Sequence, residues 1–316
     1  MSLDNVSPSV GFAPAVPLDG SAAVSIRGLF KRFGQKVAVN GLSLDIPVGS
    51  FYGLVGPNGA GKTTTIKAIL GLIYPDAGSI ELLGQNVGEH AGSKAIKDAK
   101  QRTGVVFDTC SFPEEMTVAS VGKLMSYSYD SWSPADFEQR LAQFQLPKSK
   151  TVKDLSRGMS MKLSLACALA HDPDLLILDE ATAGLDPLAR EEALDILRGY
   201  MRDERHGILM SSHITSDLEK IADYIVCIDA GRIVFAVEKD TITDLAGIAH
   251  CRATDYERIA ESGFFAPGEL RSMRHPYGID VLAPDRFAFA ENFKNIPVDK
   301  ADIDVYMGMM LKGEVR

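Results

Sequence analysis

The sequence predicts an α/β fold built around a mostly parallel sheet, and three observations support it. From Val24 onward, short apolar runs alternate with helical patterns through most of the 316 residues, the pattern of strand–helix–strand units. One unit carries Gly56-Pro57-Asn58-Gly59-Ala60-Gly61-Lys62-Thr63 between an apolar run and a helical pattern. A later apolar run, Leu175-Leu176-Ile177-Leu178, ends in two acids, Asp179-Glu180.

Taken in order, residues 1–22 are rich in Ser, Pro, Ala and Gly without periodicity and are expected to form a flexible tail. Strands are expected over 24–30, 42–46, 51–55, 79–83, 104–107, 175–178, 207–211 and 224–228. Between 107 and 175 the strand pattern gives way to helices, so a helical insertion is expected over about 109–170. One of its helices starts at Ser133-Pro134, a cap followed by a first-turn proline, and places Phe137, Leu141 and Phe144 on one face. A later helix takes Asp186 as cap and Pro187 at its first position, and is expected to bury Leu194, Leu197 and Met201. The main domain is expected over 23–240. Beyond it, 241–316 mix short apolar runs with Gly and Pro and carry no readable motif, so a small C-terminal extension or accessory domain is expected there.

Composition narrows the function classes. At 46% hydrophobic the chain can bury a full core. A net charge of −9 argues against a nucleic-acid partner, which requires clustered Lys and Arg. The apolar runs fall well short of the ~20 residues of a membrane helix, so a membrane role requires a partner. The N-terminus lacks the basic and apolar stretches of a secretory signal. The four cysteines, Cys110, Cys167, Cys227 and Cys251, have no C-x-x-C spacing and are expected to be buried free thiols in a reducing compartment.

The chemistry sits in the motifs. Gly56–Thr63 fits G-x-x-x-x-G-K-[ST] at every fixed position. Its glycines let the backbone turn successive N–H groups toward a phosphate chain. Lys62 offers a charge to the β- and γ-phosphates, and Thr63 a hydroxyl to a metal ion. The helix running on through Thr64 aims its positive dipole end at the same place. A carboxylate at a strand end beside such a loop, Asp179, can hold Mg²⁺ directly or through water. Glu180, one residue on, is placed to polarise an attacking water; the bland alternative for the two is a solvated acid pair. Leu155-Ser156-Arg157-Gly158-Met159 precedes a helix with Met161, Leu165 and Leu169 on one face. Its Ser hydroxyl and Gly N–H make a second anion site, weak evidence alone because Ser-x-Gly is common in turns.

In this order the motifs make the chain resemble the nucleotide-binding subunit of an ABC transporter over about residues 24–240. Leu155–Met159 is similar to the signature motif, Ala183-Gly184-Leu185-Asp186 to the D-loop, and His213, after Ser211-Ser212, to the switch histidine. Phe33 matches the aromatic that stacks on adenine; its alternative is strand-end packing, as core burial is for His213. The resemblance implies the P-loop NTPase fold of an ABC-type ATPase, with an antiparallel β subdomain beside the mostly parallel sheet. ATP and Mg²⁺ are its implied ligands, with Gly56, Pro57, Asn58, Gly59, Ala60, Gly61, Lys62, Thr63 and Thr64 around the phosphates. It further implies Glu180 as general base, His213 as γ-phosphate sensor, Asp186 as the coupling D-loop residue, and Thr63 and Asp179 at the metal. Ser156, Arg157, Gly158 and Met159 are expected to act in trans on the nucleotide of a second ATPase subunit, in a head-to-tail dimer, most simply a homodimer. A separate integral-membrane permease and a peripheral position on the cytoplasmic face of the plasma membrane complete the implication.

The sequence departs from the family pattern at three places. Asp108 stands where the Q-loop glutamine is expected; it either serves the metal or caps a turn. Arg157 and Met159 stand where Gly and Gln are commoner in the signature, and Ala181 where a proline usually follows the catalytic Glu. Phe107-Asp108, the Trp132 region and Leu-Ser-x-Gly-Met together look similar to the bacitracin-resistance branch of exporter-type ATPases. Ribosomal ABC proteins usually carry two nucleotide domains and DNA-repair members long heptad coiled coils, neither of which appears. A P-loop metabolic kinase would lack the signature and the switch histidine, and Glu180 argues against a module that binds ATP without hydrolysing it.

Overall fold

The computed structural model describes residues 22–88 and 93–316. The expected N-terminal tail therefore lies outside the described residues, apart from Ala22. The described chain divides into two compact units, 22–222 with 228–233, and 223–227 with 234–316.

The larger unit runs β1 (Ala22–Phe33), β2 (Lys36–Pro47), β3 (Phe51–Val55), α1 (Lys62–Ile69), β4 (Ala77–Leu82), β5 (Gln85–Asn86), α2 (Ser93–Gln101) and β6 (Thr103–Phe107). It continues through α3 (Val118–Ser128), α4 (Pro134–Gln143), α5 (Arg157–Leu169), β7 (Leu175–Asp179), α6 (Pro187–Tyr200), β8 (Gly207–Ser211) and α7 (Thr215–Ile221). β3 pairs with β8, β8 with β7 and β7 with β6, all in parallel. Every residue of β3, β7 and β8 is buried. This explains why these strands read as continuous apolar runs: a parallel sheet is covered on both faces.

Register decides where the chemistry lies. Leu54 is level with Ser211, Ser211 with Asp179, and Asp179 with Phe107. Four carboxyl-terminal strand ends thus open on one edge, where α/β sheets bind their ligands. The phosphate loop, Asp179-Glu180, Ser212-His213 and Asp108 all follow from that edge.

A second sheet, in the order β2-β1-β4-β5, is antiparallel. It takes up the expected strands 24–30, 42–46 and 79–83. The first two are longer than expected because the hairpin stays paired to its tip, Phe33 opposite Lys36, across several register shifts. Between β6 and β7 lie helices and an isolated bridge from Thr117 to Thr151. Ser133 caps α4 by accepting from the Asp136 N–H, with Pro134 opening the helix and Phe137 and Leu141 buried. Asp186 caps α6 through the N–H groups of Leu188 and Ala189. Leu194 and Leu197 are buried as expected, but Met201 is half-buried: it is the C-cap, where the chain leaves the helical phase that set its side. α2 had no counterpart in the sequence expectations.

The chain passes between the units within β9 (Tyr224–Asp229) and again in β10 (Arg232–Glu238). The smaller unit then runs β11 (Gly247–Cys251), α8 (Ala253–Glu261), β12 (Arg271–His275), β13 (Gly278–Ala283), α9 (Arg286–Asn292), β14 (Val298–Lys300), α10 (Ile303–Lys312) and β15 (Glu314–Val315). Its strands form an antiparallel sheet in the order β14-β11-β13-β12-β15. The core of this unit gathers Val281, Tyr256, Ile259, Phe289 and Phe293, with Phe264 edge-on to both phenylalanine rings.

All four cysteines are free thiols. Three are buried as expected, whereas Cys110 is half-buried. Burial pushes the Cys251 thiol up to about 12 and raises that of Cys167 further.

Candidate active site

The phosphate loop leaves β3 through a backbone that only glycine can adopt at its two ends. Gly56 has φ +141°, and a Cβ there would stand 2.0 Å from the Ile228 carbonyl oxygen. Gly61 has φ +115°, with the Ala38 carbonyl 2.6 Å from the same hypothetical atom. These approaches leave no room for a side chain. Lys62, 6% exposed, opens α1 and folds back over the loop, its Nζ donating to the carbonyls of Gly56 at 2.8 Å and Pro57 at 3.4 Å.

Beside the loop, Asp179 is 5% exposed, and its Oδ1 accepts from Ser211 Oγ at 2.6 Å and from Thr63 Oγ1 at 3.2 Å. Thr63 and Asp179 are thus adjacent, the hydroxyl–carboxylate pair that a Mg²⁺ ion bound to phosphates takes. Among the described residues no cluster of three or more His, Cys, Asp or Glu could hold a metal ion. The donor set therefore fits a hard cation held by one or two protein oxygens, water and phosphate, and gives no all-protein cage.

Glu180 occupies the left-handed region, with φ +54°. A non-glycine residue there is strained by about 1–3 kcal/mol, a feature that clusters at functional sites. Its conformation is held from two sides. The Glu180 N–H donates to the Ser211 carbonyl and hydroxyl oxygens, both at 3.1 Å. Oε2 accepts from the His213 N–H at 3.2 Å and lies 2.5 Å from His213 Nδ1, while Oε1 is 3.9 Å from Lys62 Nζ. One carboxylate thus joins the loop lysine to the histidine that follows β8.

These groups face a pocket of about 480 Å³ whose lining includes Asn58, Gly59, Ala60, Gly61, Lys62, Thr63, Thr64, Glu180 and His213. Phe33 stands at its rim, 50% exposed, with Lys31 Nζ 5.5 Å from the ring centroid. Half of the residue is open to solvent, and the Lys31 ammonium lies over the ring. His213 is half-exposed, which removes the core-histidine alternative. Asp108 also lines the pocket. Ala183 of the expected D-loop lines the pocket as well, as do Lys36 and Ala38, which the sequence did not single out. Lys36 had a signal, a basic residue opening the strand after the Phe33-Gly34 turn. Ser211 was read as a strand end, and its hydrogen bonds to Asp179 and Glu180 depend on cross-strand register.

The signature residues separate. Ser156 caps α5, its Oγ accepting from the Met159 N–H at 3.3 Å. Ser156, Gly158 and Met159 are not among the pocket lining. Arg157 lines the pocket of its own chain. A Cβ built on Gly184 would lie 2.6 Å from the Arg157 guanidinium carbon, so the long side chain crosses from α5 to the 183–186 loop. Asp186 is seen here as the cap of α6.

A phosphate loop, a buried aspartate and a strained glutamate at the carboxyl edge of a parallel sheet define a P-loop nucleoside-triphosphatase. Within that class the chain belongs to the ABC transporter family and is an ATP-binding, ATP-hydrolysing subunit. A family profile described as ABC transporter matches residues 39–183. Nod factor export ATP-binding protein I of Burkholderia orbicola (strain AU 1054) is 39% identical over 216 residues, 67% of this chain and 69% of that protein. A solved structure described as the ATP binding subunit of an ABC transporter superposes with a TM-score of 0.61 at 29% identity, covering 70% of this chain and 91% of that one. An ATP-binding cassette solved as a dimer in a post-hydrolysis state with ADP and Pi shares the fold, with a TM-score of 0.61 at 20% identity over 68% of this chain and 98% of that one.

Proposed function

We propose that this chain hydrolyses ATP to drive transport, in the direction of export, through a separate integral-membrane permease, and that two copies enclose the nucleotides head to tail. The observation that carries the reading is the join of Lys62, Glu180 and His213 through one strained carboxylate beside the phosphate loop. Lys62 and the loop N–H groups bind the phosphates, and Phe33 stacks on the base. Glu180 takes the proton of the attacking water, and His213, held to its Oε2, orients it and senses the γ-phosphate. Mg²⁺, when bound, would be held by Thr63 Oγ1 and Asp179, directly or through water, with Asp108 at the edge, and would neutralise phosphate charge. Ser156, Gly158 and Met159 serve the partner's nucleotide, and Asp186 couples the two sites. The ATPase role is assigned to the larger unit and an accessory role to the smaller one, which begins at 234 and takes in 223–227, a few residues ahead of the boundary at 240 expected from the sequence.

The name of the Burkholderia relative supports export, and the cassette solved as a dimer supports the two-copy arrangement. No described helix is long and apolar enough to cross a membrane, so attachment falls to the permease, and we place the subunit peripherally on the cytoplasmic face. Replacing Glu180 with Gln tests the chemistry. Hydrolysis should fall by roughly 10²-fold while ATP binding survives and an ATP-bound dimer accumulates on gel filtration. Near-normal turnover would remove Glu180 from the mechanism.

A further inference from the structure

We propose that Arg157 is a phosphate-contacting residue of its own chain's nucleotide pocket, recognising the terminal phosphate of the nucleotide held by the phosphate loop. This rests on the reading of that pocket as the ATP site. The guanidinium lines the pocket together with Lys62, Asp108 and Glu180. It also lines an adjoining cavity of about 340 Å³ that includes Phe107, Asp108 and Thr109, so it stands where the two meet. Among the described residues no ion pair or hydrogen bond engages it, in a region that presents the Asp108 and Glu180 carboxylates.

Its position is set by backbone. Arg157 is the first residue of α5, behind the Ser156 cap, and its side chain reaches the pocket lining. Gly184, at φ +71°, lets the guanidinium lie against the main chain: a Cβ would be 2.6 Å from Cζ and Nη1 and 3.0 Å from Nε. A planar fork braced on a glycine and otherwise unengaged is suited to bidentate contact with a phosphate. Lys62 and Lys36 already line the pocket on the phosphate-loop side, and Arg157 adds a further cation from the start of α5. The contact favours ATP over ADP, because the terminal phosphate carries the extra charge and projects furthest from the loop.

The test is nucleotide titration of the full chain carrying Glu180→Gln, at concentrations where light scattering shows monomers. Arg157→Gln, which keeps a polar amide but removes the charge and shortens the side chain, should weaken ATP binding about tenfold and ADP binding less. Arg157→Lys should recover part of the loss. Unchanged ATP affinity in the monomer, with a defect confined to dimer formation, would overturn the proposal and return Arg157 to the partner's site. Lys62→Ala is the control for the underlying reading: if it too leaves ATP affinity unchanged, the pocket is not the nucleotide site.

Discussion

The two compact units of this chain carry their charges in opposite ways. Around the phosphate loop, Lys62 and Asp179 are almost fully buried and Glu180 sits on strained backbone. Buried charge is costly unless partnered, and each of these groups is held by loop carbonyls, hydroxyls or His213 while lying beside or lining one pocket. In the C-terminal unit the ion pairs, such as Lys300–Asp244 and Arg316–Glu257, join exposed side chains, and the interior is closed by Phe289, Phe293 and Val281. The first pattern marks a place built to act on charge; the second marks one built to stay folded.

Substitutions in the two units should therefore fail differently. Lys62→Ala should lower ATP affinity by about a hundredfold, since it deletes a cation meeting several phosphate oxygens. Calorimetry showing unchanged affinity would break the comparison at its strongest point. Phe289→Ala, at a fully buried ring, should cost about 3–5 kcal/mol of stability in urea unfolding of the C-terminal unit. Its ATP affinity should stay at the parent value. A loss below about 1 kcal/mol would show that this cluster is not close-packed.

Asp108→Ala gives a smaller effect. It should raise the Mg²⁺ concentration for half-maximal turnover by about threefold, and leave metal-free ATP affinity equal or slightly tighter as a nearby negative charge disappears. Superimposable magnesium curves would remove Asp108 from the metal.

The smallest effect belongs to the half-exposed cluster of the C-terminal unit. His250 Nδ1 lies 2.7 Å from Asp280 Oδ1 and Nε2 lies 3.3 Å from Asp299 Oδ2, with His275 Nε2 3.0 Å from the other Asp280 oxygen. The Asp280 hydrogen bond raises the His250 pKa, opposed by partial burial and aided by Asp299. A group raised on folding stabilises fully below its unfolded value, about 6.5, and that contribution is lost as pH rises through the higher folded value. The melting temperature of this unit should therefore fall slightly across that window, and His250→Gln should flatten the slope. Equal slopes in both proteins would sink this.

Much of the larger unit was legible because its signals are local. The caps at Ser133 and Asp186 act within three residues of themselves, and the continuous apolar runs announce strands covered on both faces. Met201 was misjudged because helical phase ends at a cap. The C-terminal sheet gave no pattern to read: β14 and β15 are short and polar, and join the sheet through partners distant in sequence.

By itself the sequence determined the phosphate loop, the acids after β7 and the histidine after β8, because each motif carries its chemistry in neighbouring residues. Tertiary structure alone decided which of them meet. Cross-strand register set Ser211 against Asp179 and Glu180, the left-handed turn at Glu180 directed its carboxylate between Lys62 and His213, and the space above Gly184 brought Arg157 into its own chain's pocket. Those contacts join residues far apart in the chain, and no local pattern encodes the distance between them.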